Sequence, residues 1–401
     1  MKIVWISHSG EPNGGAELSL WEAARGLAGR GVELHAVVPE SRGLGERLEA
    51  AGARVWVVPF AWWVGRGRWR APRYRLKRAG RNLFYLPRLR RLLTRLSPDV
   101  VMSNTLAVPS GALAARWAGL PHVWYVHELF GVEGHGLYFD WGQSASLSLM
   151  DRLSERILVN SETVLRSFSP HVSGEKLRVV RYAVEVPERT LPASVGQKGL
   201  KLIQVGLLSP GKRQEDAVRA LALLAARGLD VRLKLLGDEA RGYESLLPAL
   251  CRELGVEGRV EFVPFSLDPF SHIAAADVVV MCSRGEAFGR VTVEAMKLGK
   301  PVVGADSAGT AELIRDGETG LLFRLGDAED LARAIGTLYA APALVVEMGE
   351  RARAWATASF SSEGYASALI EVFKEVAGAA GRVGRTAGAA ELSASRLKSK
   401  A

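Results

Sequence analysis

Short apolar runs alternate with longer amphipathic stretches from the first residues onward. Ile3–Ser7 (IVWIS) is followed by a helical pattern from Ala16 to Arg30. VELHAVV at 32–38, a helical stretch over Arg42–Ala51 and RVWVV at 54–58 come next. Beyond a basic stretch lie DVVMS at 99–103, a helix near Val108–Ala118, HVWYV at 122–126, a polar loop and ILVN at 157–160. Apolar runs of this length, bounded by turn residues and separated by helices, predict a parallel sheet covered on both faces.

The rhythm breaks at Glu185–Gly199 (EVPERTLPASVGQKG), whose Pro, Gly and polar content predicts a linker. It then restarts with KLIQVG at 201–206, a helix from Gln214 to Arg227, VRLKLLG at 231–237, a helix around Tyr243–Leu254 and RVEFVPF at 259–265. DVVVMCS at 277–283, a helix from Val291 to Leu298, PVVGA at 301–305 and GLLF at 320–323 complete a second doubly wound unit. The predicted α/β architecture is two Rossmann-like domains, 1–184 and 200–358, facing a central cleft. Helices dominate from Ala328; the last, 359–377, is expected to pack back on the first domain, and the small, basic tail 378–401 to be disordered.

Length and composition agree with this reading. The 401 residues suit two domains better than one, and 48% hydrophobic with 24% charged residues is ordinary for a globular chain. Met1–Ser7 is too short for a secretory leader, and no stretch reaches the roughly 20 apolar residues of a spanning helix. Cys251 and Cys282 fall in segments that read as buried structure, so they are expected to be reduced thiols in a cytoplasmic protein.

In open α/β sheets ligands bind beyond the carboxyl ends of the strands. The richest segment there is Ser283–Phe323 (SRGEAFGRVTVEAMKLGKPVVGADSAGTAELIRDGETGLLF). Glu286 lies in a loop and Glu294 eight positions later in a helix; Ala287, Phe288, Gly289, Arg290 and Val291 place backbone N–H groups at the helix start between them. A helix start is suited to a diphosphate, and the flanking carboxylates to sugar and ribose hydroxyls. The segment resembles the signature of glycosyltransferase family 4, the retaining group 1 enzymes of GT-B fold: Glu286…Glu294-Ala295-Met296, Gly299-Lys300-Pro301-Val302, Ala308-Gly309, Glu312 and Gly317…Gly320-Leu321-Leu322. The resemblance implies that Glu286 holds a hydroxyl of the donor sugar and Glu294 the ribose.

Three further segments extend it. Gly206-Leu207-Leu208-Ser209-Pro210-Gly211-Lys212 follows the first strand of the second half. The family has two cations here for the diphosphate; this chain keeps Lys212 but has Leu207 where the family has Arg, and Arg213 is expected to compensate. Asn13-Gly14-Gly15-Ala16-Glu17 resembles the family's Gly-Gly turn near the donor phosphate, with Gly14 and Gly15 letting backbone approach a ligand. His127, at a strand end, lies where the family places a His against the donor sugar, and Asn160-Ser161-Glu162 resembles a further cleft-lining turn. Base recognition is expected through backbone near Pro264 and Phe265. No G-x-G-x-x-G fingerprint, nucleophile elbow, metal-ligand spacing or Asp-x-Asp occurs, so no cofactor and no metal are expected. The implied activity is metal-independent hexosyl transfer from a UDP- or GDP-sugar to a glycan or lipid-linked acceptor in cell-surface polysaccharide or glycolipid synthesis, by front-face attack with retention. Its rival is a degenerate, non-catalytic relative that binds glycans or nucleotide sugars.

The formal charge of +9 is concentrated: twelve Arg or Lys and no acid lie between Phe60 and Pro98. There Trp62, Trp63 and Trp69 are interleaved with Arg66, Arg68 and Arg70. Cations with Trp suit an anionic membrane interface or the acceptor. A solvated loop leading into a surface helix is the second reading, and a polyanionic glycan the third; nucleic acid is not expected.

Overall fold

The structure is a computed structural model that describes residues 1–131, 136–187, 199–240, 243 and 245–379. Most of the expected linker and, beyond Ala379, the expected disordered tail lie outside the described residues. Gly378 and Ala379 continue the final helix instead of beginning the tail.

The first half runs β1 (Lys2–Ile6), α1 (Gly15–Leu27), β2 (Glu33–Val38), α2 (Leu44–Ala50), β3 (Arg54–Val57), β4 (Val64–Gly65), α3 (Pro72–Leu96), β5 (Val100–Asn104), α4 (Ser110–Ala118), β6 (His122–Val126), β7 (Tyr138–Phe139), α5 (Gln143–Leu153), β8 (Arg156–Val159), α6 (Glu162–Phe168) and β9 (Leu177–Val179). Seven of these strands form one parallel sheet in the order β3-β2-β1-β5-β6-β8-β9, and β4 pairs antiparallel with β7 beside it. The second half runs β10 (Leu200–Val205), α7 (Gln214–Ala226), β11 (Val231–Leu236), α8 (Leu246–Glu253), β12 (Val260–Val263), α9 (Pro269–Ala274), β13 (Val278–Met281), α10 (Arg290–Lys297), β14 (Val302–Ala305), α11 (Ala308–Leu313), β15 (Gly320–Phe323), α12 (Ala328–Ala340) and α13 (Pro342–Ser359). Its sheet is also parallel, in the order β12-β11-β10-β13-β14-β15.

The central strands β5, β6, β13 and β14 are buried at every position. That is why they read as largely apolar runs instead of alternating ones, with polar residues only at the ends of β5 and β6. In each sheet the winding direction reverses beside the first strand, between β1 and β5 and between β10 and β13. The loops leaving the carboxyl ends of those strands diverge there and leave a crevice.

The final helix, α14 (residues 362–379), crosses back to the first half. Its buried Tyr365, Leu369, Phe373 and Val376 join the cluster built on Ile3, Leu20 and Leu27. Arg178 pairs with Glu371 at 2.9 Å, and Arg156 pairs with Glu375. That same cluster contains Phe288, Val293 and Met296 of the second half, so one apolar core spans both sheets. Among the described residues no single helix is long and apolar enough to cross a membrane.

Candidate active site

A cleft of about 500 Å³ opens where the two crevices face each other. The second half supplies Gly206 after β10, Gly237 and Asp238 after β11, and Glu286 after β13. β10 and β11 run in register with Val205 opposite Leu236, which sets Gly206 beside Gly237. Gly237 has φ +148°, and a Cβ there would lie 2.3 Å from the Gly206 carbonyl oxygen. Only glycine permits that approach, and it keeps this wall of the cleft bare backbone.

Lys212, at the turn before α7, reaches the floor. Its Nζ donates to Glu286 Oε1 at 2.5 Å, with both side chains partly accessible. The loop carrying Glu286 is held by α11: Gly309 N–H donates to the Glu286 carbonyl at 2.8 Å. From the first half, Ser161 Oγ donates to the Ala287 carbonyl. The loop ends at Gly289 (φ +97°), which turns the chain into α10 and points its first N–H groups at the cleft. Glu294 lies one turn inside α10, buried, and burial raises its pKa above the ordinary carboxylate range. Arg290 Nε approaches Glu294 Oε1 at 3.6 Å.

The first half contributes Asn13, Gly15, Leu18 and His127. His127 Nε2 lies 2.7 Å from Asn104 Oδ1, while Asn104 Nδ2 donates to the Ala16 carbonyl at 3.0 Å. The amide oxygen only accepts, so Nε2 carries the proton and Nδ1 is left as a lone-pair acceptor. That Nδ1 is buried without a hydrogen-bond partner. Burial lowers the imidazole pKa to about 3, assisted by His8 and Arg290, and the ring is neutral. A hydroxyl donor entering the cleft would satisfy it.

Of the expected donor-binding residues, Gly15, Gly206, Lys212, Phe265, Glu286 to Val291, Glu294 and His127 line this one cleft. Gly14, Arg213 and Pro264 do not. A Cβ on Gly14 would meet the Glu17 carboxylate at 2.1 Å, so that side chain covers the turn. Arg213 stands in a left-handed conformation (φ +52°) that turns its guanidinium onto Asp216, with bonds of 2.6 and 2.9 Å. It therefore supplies no second cation, and the place of the expected Arg is taken by the half-exposed Leu207.

Several contributors were not read from sequence. Tyr182 lies against Phe288, centroids 4.4 Å apart, and lines the cleft. Asp238 accepts from Phe265 N at 3.1 Å; its place directly after a strand end is the signal that could have found it. Glu312, named in the signature segment but given no role there, accepts from the backbone N of Glu162 at 2.9 Å and from Thr163, capping α6 across the two halves. Among the described residues no group of three His, Cys, Asp or Glu side chains gathers in a metal-holding arrangement.

The basic stretch borders a second cavity of about 640 Å³, lined by Trp62, Arg66 and Trp69. Trp63 departs from the expected outward-facing set. It is only 2% exposed, donates from its indole to the Leu106 carbonyl at 2.6 Å and stacks on Trp124. Arg70 turns away to lie 4.0 Å over the Tyr138 ring. The Arg68 side chain lies outside what the structure describes.

The chain is matched by two family models, Glycosyltransferase Family 4 over residues 13–186 and Glycosyl transferases group 1 over residues 192–355. It is 29% identical over 376 residues to the lipopolysaccharide core biosynthesis glycosyltransferase LpsE of Rhizobium meliloti (strain 1021), covering 93% of this chain and 98% of the relative. It is 27% identical over 293 residues to the putative glycosyltransferase EpsD of Bacillus subtilis (strain 168), covering 68% and 75%. The solved structure of Anabaena HepE in complex with UDP and glucose superposes with a TM-score of 0.76 at 25% identity, covering 94% of this chain and all of that one. With one model on each half and full-length relatives across both, the chain belongs to the group 1, family 4 glycosyltransferases and has their GT-B fold.

Proposed function

We propose that this glycosyltransferase moves a hexosyl unit from a nucleoside-diphosphate sugar to a hydroxyl of a glycan or lipid-linked saccharide, with retention of configuration. The observation that carries the reading is the meeting of Lys212 and Glu286 beside the α10 N-terminus, with Glu294 one turn deeper. Lys212 and the helix-start N–H groups supply positive charge for a departing diphosphate, so the reading calls for no metal. Glu286 accepts from a sugar hydroxyl, as does His127 Nδ1; Glu294 accepts from the ribose. In a front-face displacement the acceptor oxygen bonds to the anomeric carbon as the bond to the phosphate oxygen breaks, and that oxygen takes the acceptor's proton.

A UDP-sugar is the favoured donor, since the Anabaena HepE structures hold UDP and UDP-glucose. Polysaccharide or lipopolysaccharide-type synthesis is favoured by the relatives' roles. Contact with an anionic membrane is supported by α3, where Leu76, Leu83 and Phe84 are each about 70% exposed among Arg73, Lys77, Arg81 and Arg88.

The test is hydrolysis and transfer with a panel of UDP-, GDP- and ADP-sugars, using wild type and Glu286→Ala. At least one donor is expected to turn over, and Glu286→Ala to lower kcat by about a hundredfold or more. A folded wild type that binds and hydrolyses none of the panel overturns the reading, and unimpaired transfer by a folded Glu286→Ala overturns the site.

A further inference from the structure

We propose that the second cavity is the acceptor subsite and that it selects an anionic saccharide, one bearing phosphate or carboxylate close to the sugar that is glycosylated. The proposal rests on the transferase reading above and adds the chemical class of its acceptor.

Position is the first argument. Glu128 lines this cavity, and the preceding residue, His127, lines the donor cleft. His8, at the end of β1, also lines the cavity and approaches Glu17 Oε1 at 3.1 Å, beside the Gly14–Gly15 turn. The two spaces therefore lie side by side past the end of β6, where adjacent residues line one and the other. A saccharide held in the second space is thereby placed next to the donor cleft.

Shape is the second. Trp62 and Trp69 are nearly half exposed, and both face the cavity together with Tyr74. Trp62 is fixed by an indole N–H bond of 2.8 Å to the His8 carbonyl, and Trp69 leans on Tyr74 with centroids 4.6 Å apart. Anchored rings with exposed faces fit the C–H face of a pyranose and lose little side-chain freedom when they take it up.

Charge is the third, and it sets the class. Arg66, Lys77, Arg78 and Arg81 line the cavity with one acid, Glu128. Arg78 is committed, donating to Asp140 Oδ2 at 2.8 Å and to the Trp69 carbonyl at 3.0 Å. Arg66, Lys77 and Arg81 have no ion-pair partner among the described residues. Glu128 offsets them weakly, because burial pushes its carboxyl up to about 7. Like charges gathered around aromatic faces repel one another when the cavity is empty; an anion on the bound sugar relieves that repulsion, whereas a neutral glycan does not.

The experiment compares one disaccharide in three forms: neutral, with a 1-phosphate, and with a uronic acid in place of the terminal hexose. Quenching of tryptophan fluorescence reads binding, and transfer from the donor that the wild type hydrolyses reads function. At least one anionic form is expected to bind about tenfold or more tightly than the neutral form at low salt, the preference shrinking as salt rises. The phosphate and carboxylate arms identify the anion. Lys77→Glu/Arg81→Glu is expected to abolish the preference, and Arg30→Glu, an exposed charge reversal elsewhere, to keep it. Equal binding of all three forms by a wild type that turns over donor overturns this inference and leaves the transferase reading standing. A wild type that turns over no donor while still preferring the anionic forms does the reverse.

Discussion

Arg290 and Glu22 grip each other across the gap between the two halves, Nη1 to Oε2 and Nη2 to Oε1 at 2.8 Å each. Glu22 is on α1 and Arg290 is the first residue of α10, so the pair ties the start of the donor-binding helix to the opposite domain. Burial alone lowers the Arg290 pKa, but the hydrogen bonds it donates to Glu22 raise it, and the guanidinium stays charged. The same carboxylate accepts from the backbone N of Glu185 at 3.0 Å, where the chain leaves the first half.

Removing one partner strands the other. Glu22→Ala leaves the Arg290 charge almost fully buried, with Glu294 at 3.6 Å, the Ala183 carbonyl and the Tyr182 ring beside it but no bidentate carboxylate, and a broken buried pair costs about 3–5 kcal/mol. Denaturant unfolding is expected to show a loss of that order, with a smaller loss for Glu22→Gln, which keeps one acceptor. Stability unchanged in Glu22→Ala would show that the pair does not hold the halves together.

Gly309→Ala tests how the Glu286 loop is seated. A Cβ at 309 would lie 2.7, 2.8 and 3.0 Å from the carbonyl oxygens of Phe288, Glu286 and Ala287. Backbone cannot rotate away as a side-chain tip can, so the loop must move. The expected result is a loss of about 1–3 kcal/mol in stability and a donor KM raised more than that loss explains. Wild-type kinetics at a temperature where the variant is folded would sink the idea that α11 positions Glu286.

Leu207→Arg is expected to be a gain. Leu207 lines the cleft and is half exposed, so a longer side chain has room. Arg213 is occupied by Asp216. A new guanidinium beside Lys212 is expected to tighten UDP binding about five- to tenfold at low salt, with the gain shrinking as salt rises. Calorimetric titration with UDP checks it, and an unchanged or weaker affinity would mean that the diphosphate does not lie against Leu207.

The contiguous parts of this picture were legible in the sequence, and those that depend on folding were not. β13 and β14 showed as plain apolar runs because both their faces are buried. Glu286, the α10 start and Glu294 were legible together because one loop and one helix carry them. The bonds Arg290–Glu22 and Ser161–Ala287 span 268 and 126 residues, and nothing local marks such partners. Trp62 and Trp63 are neighbours of one composition, yet the backbone sends one to solvent and the other onto Trp124. Arg213 looked like a replacement cation until its left-handed backbone turned it to Asp216.

The last prediction concerns Glu128, whose Oε2 accepts from the backbone N of Leu106 and of His127 at 3.2 Å each. Burial raises its pKa from 4.5 to about 7, with the nearby Glu17 adding to the rise. The folded protein thus holds this proton more tightly than the unfolded chain does. That contribution to stability is fully present below about pH 4.5 and is lost as pH rises through about 7. Glu128→Gln keeps an oxygen for both N–H groups and removes the titration. The variant is therefore expected to match wild type near pH 5 and to exceed it near pH 8 by on the order of 2 kcal/mol. Urea unfolding of both proteins across that range checks the sign. A difference that stays flat from pH 5 to 8 would mean that Glu128 is ionised throughout, and that the second cavity holds a full negative charge opposite its cations.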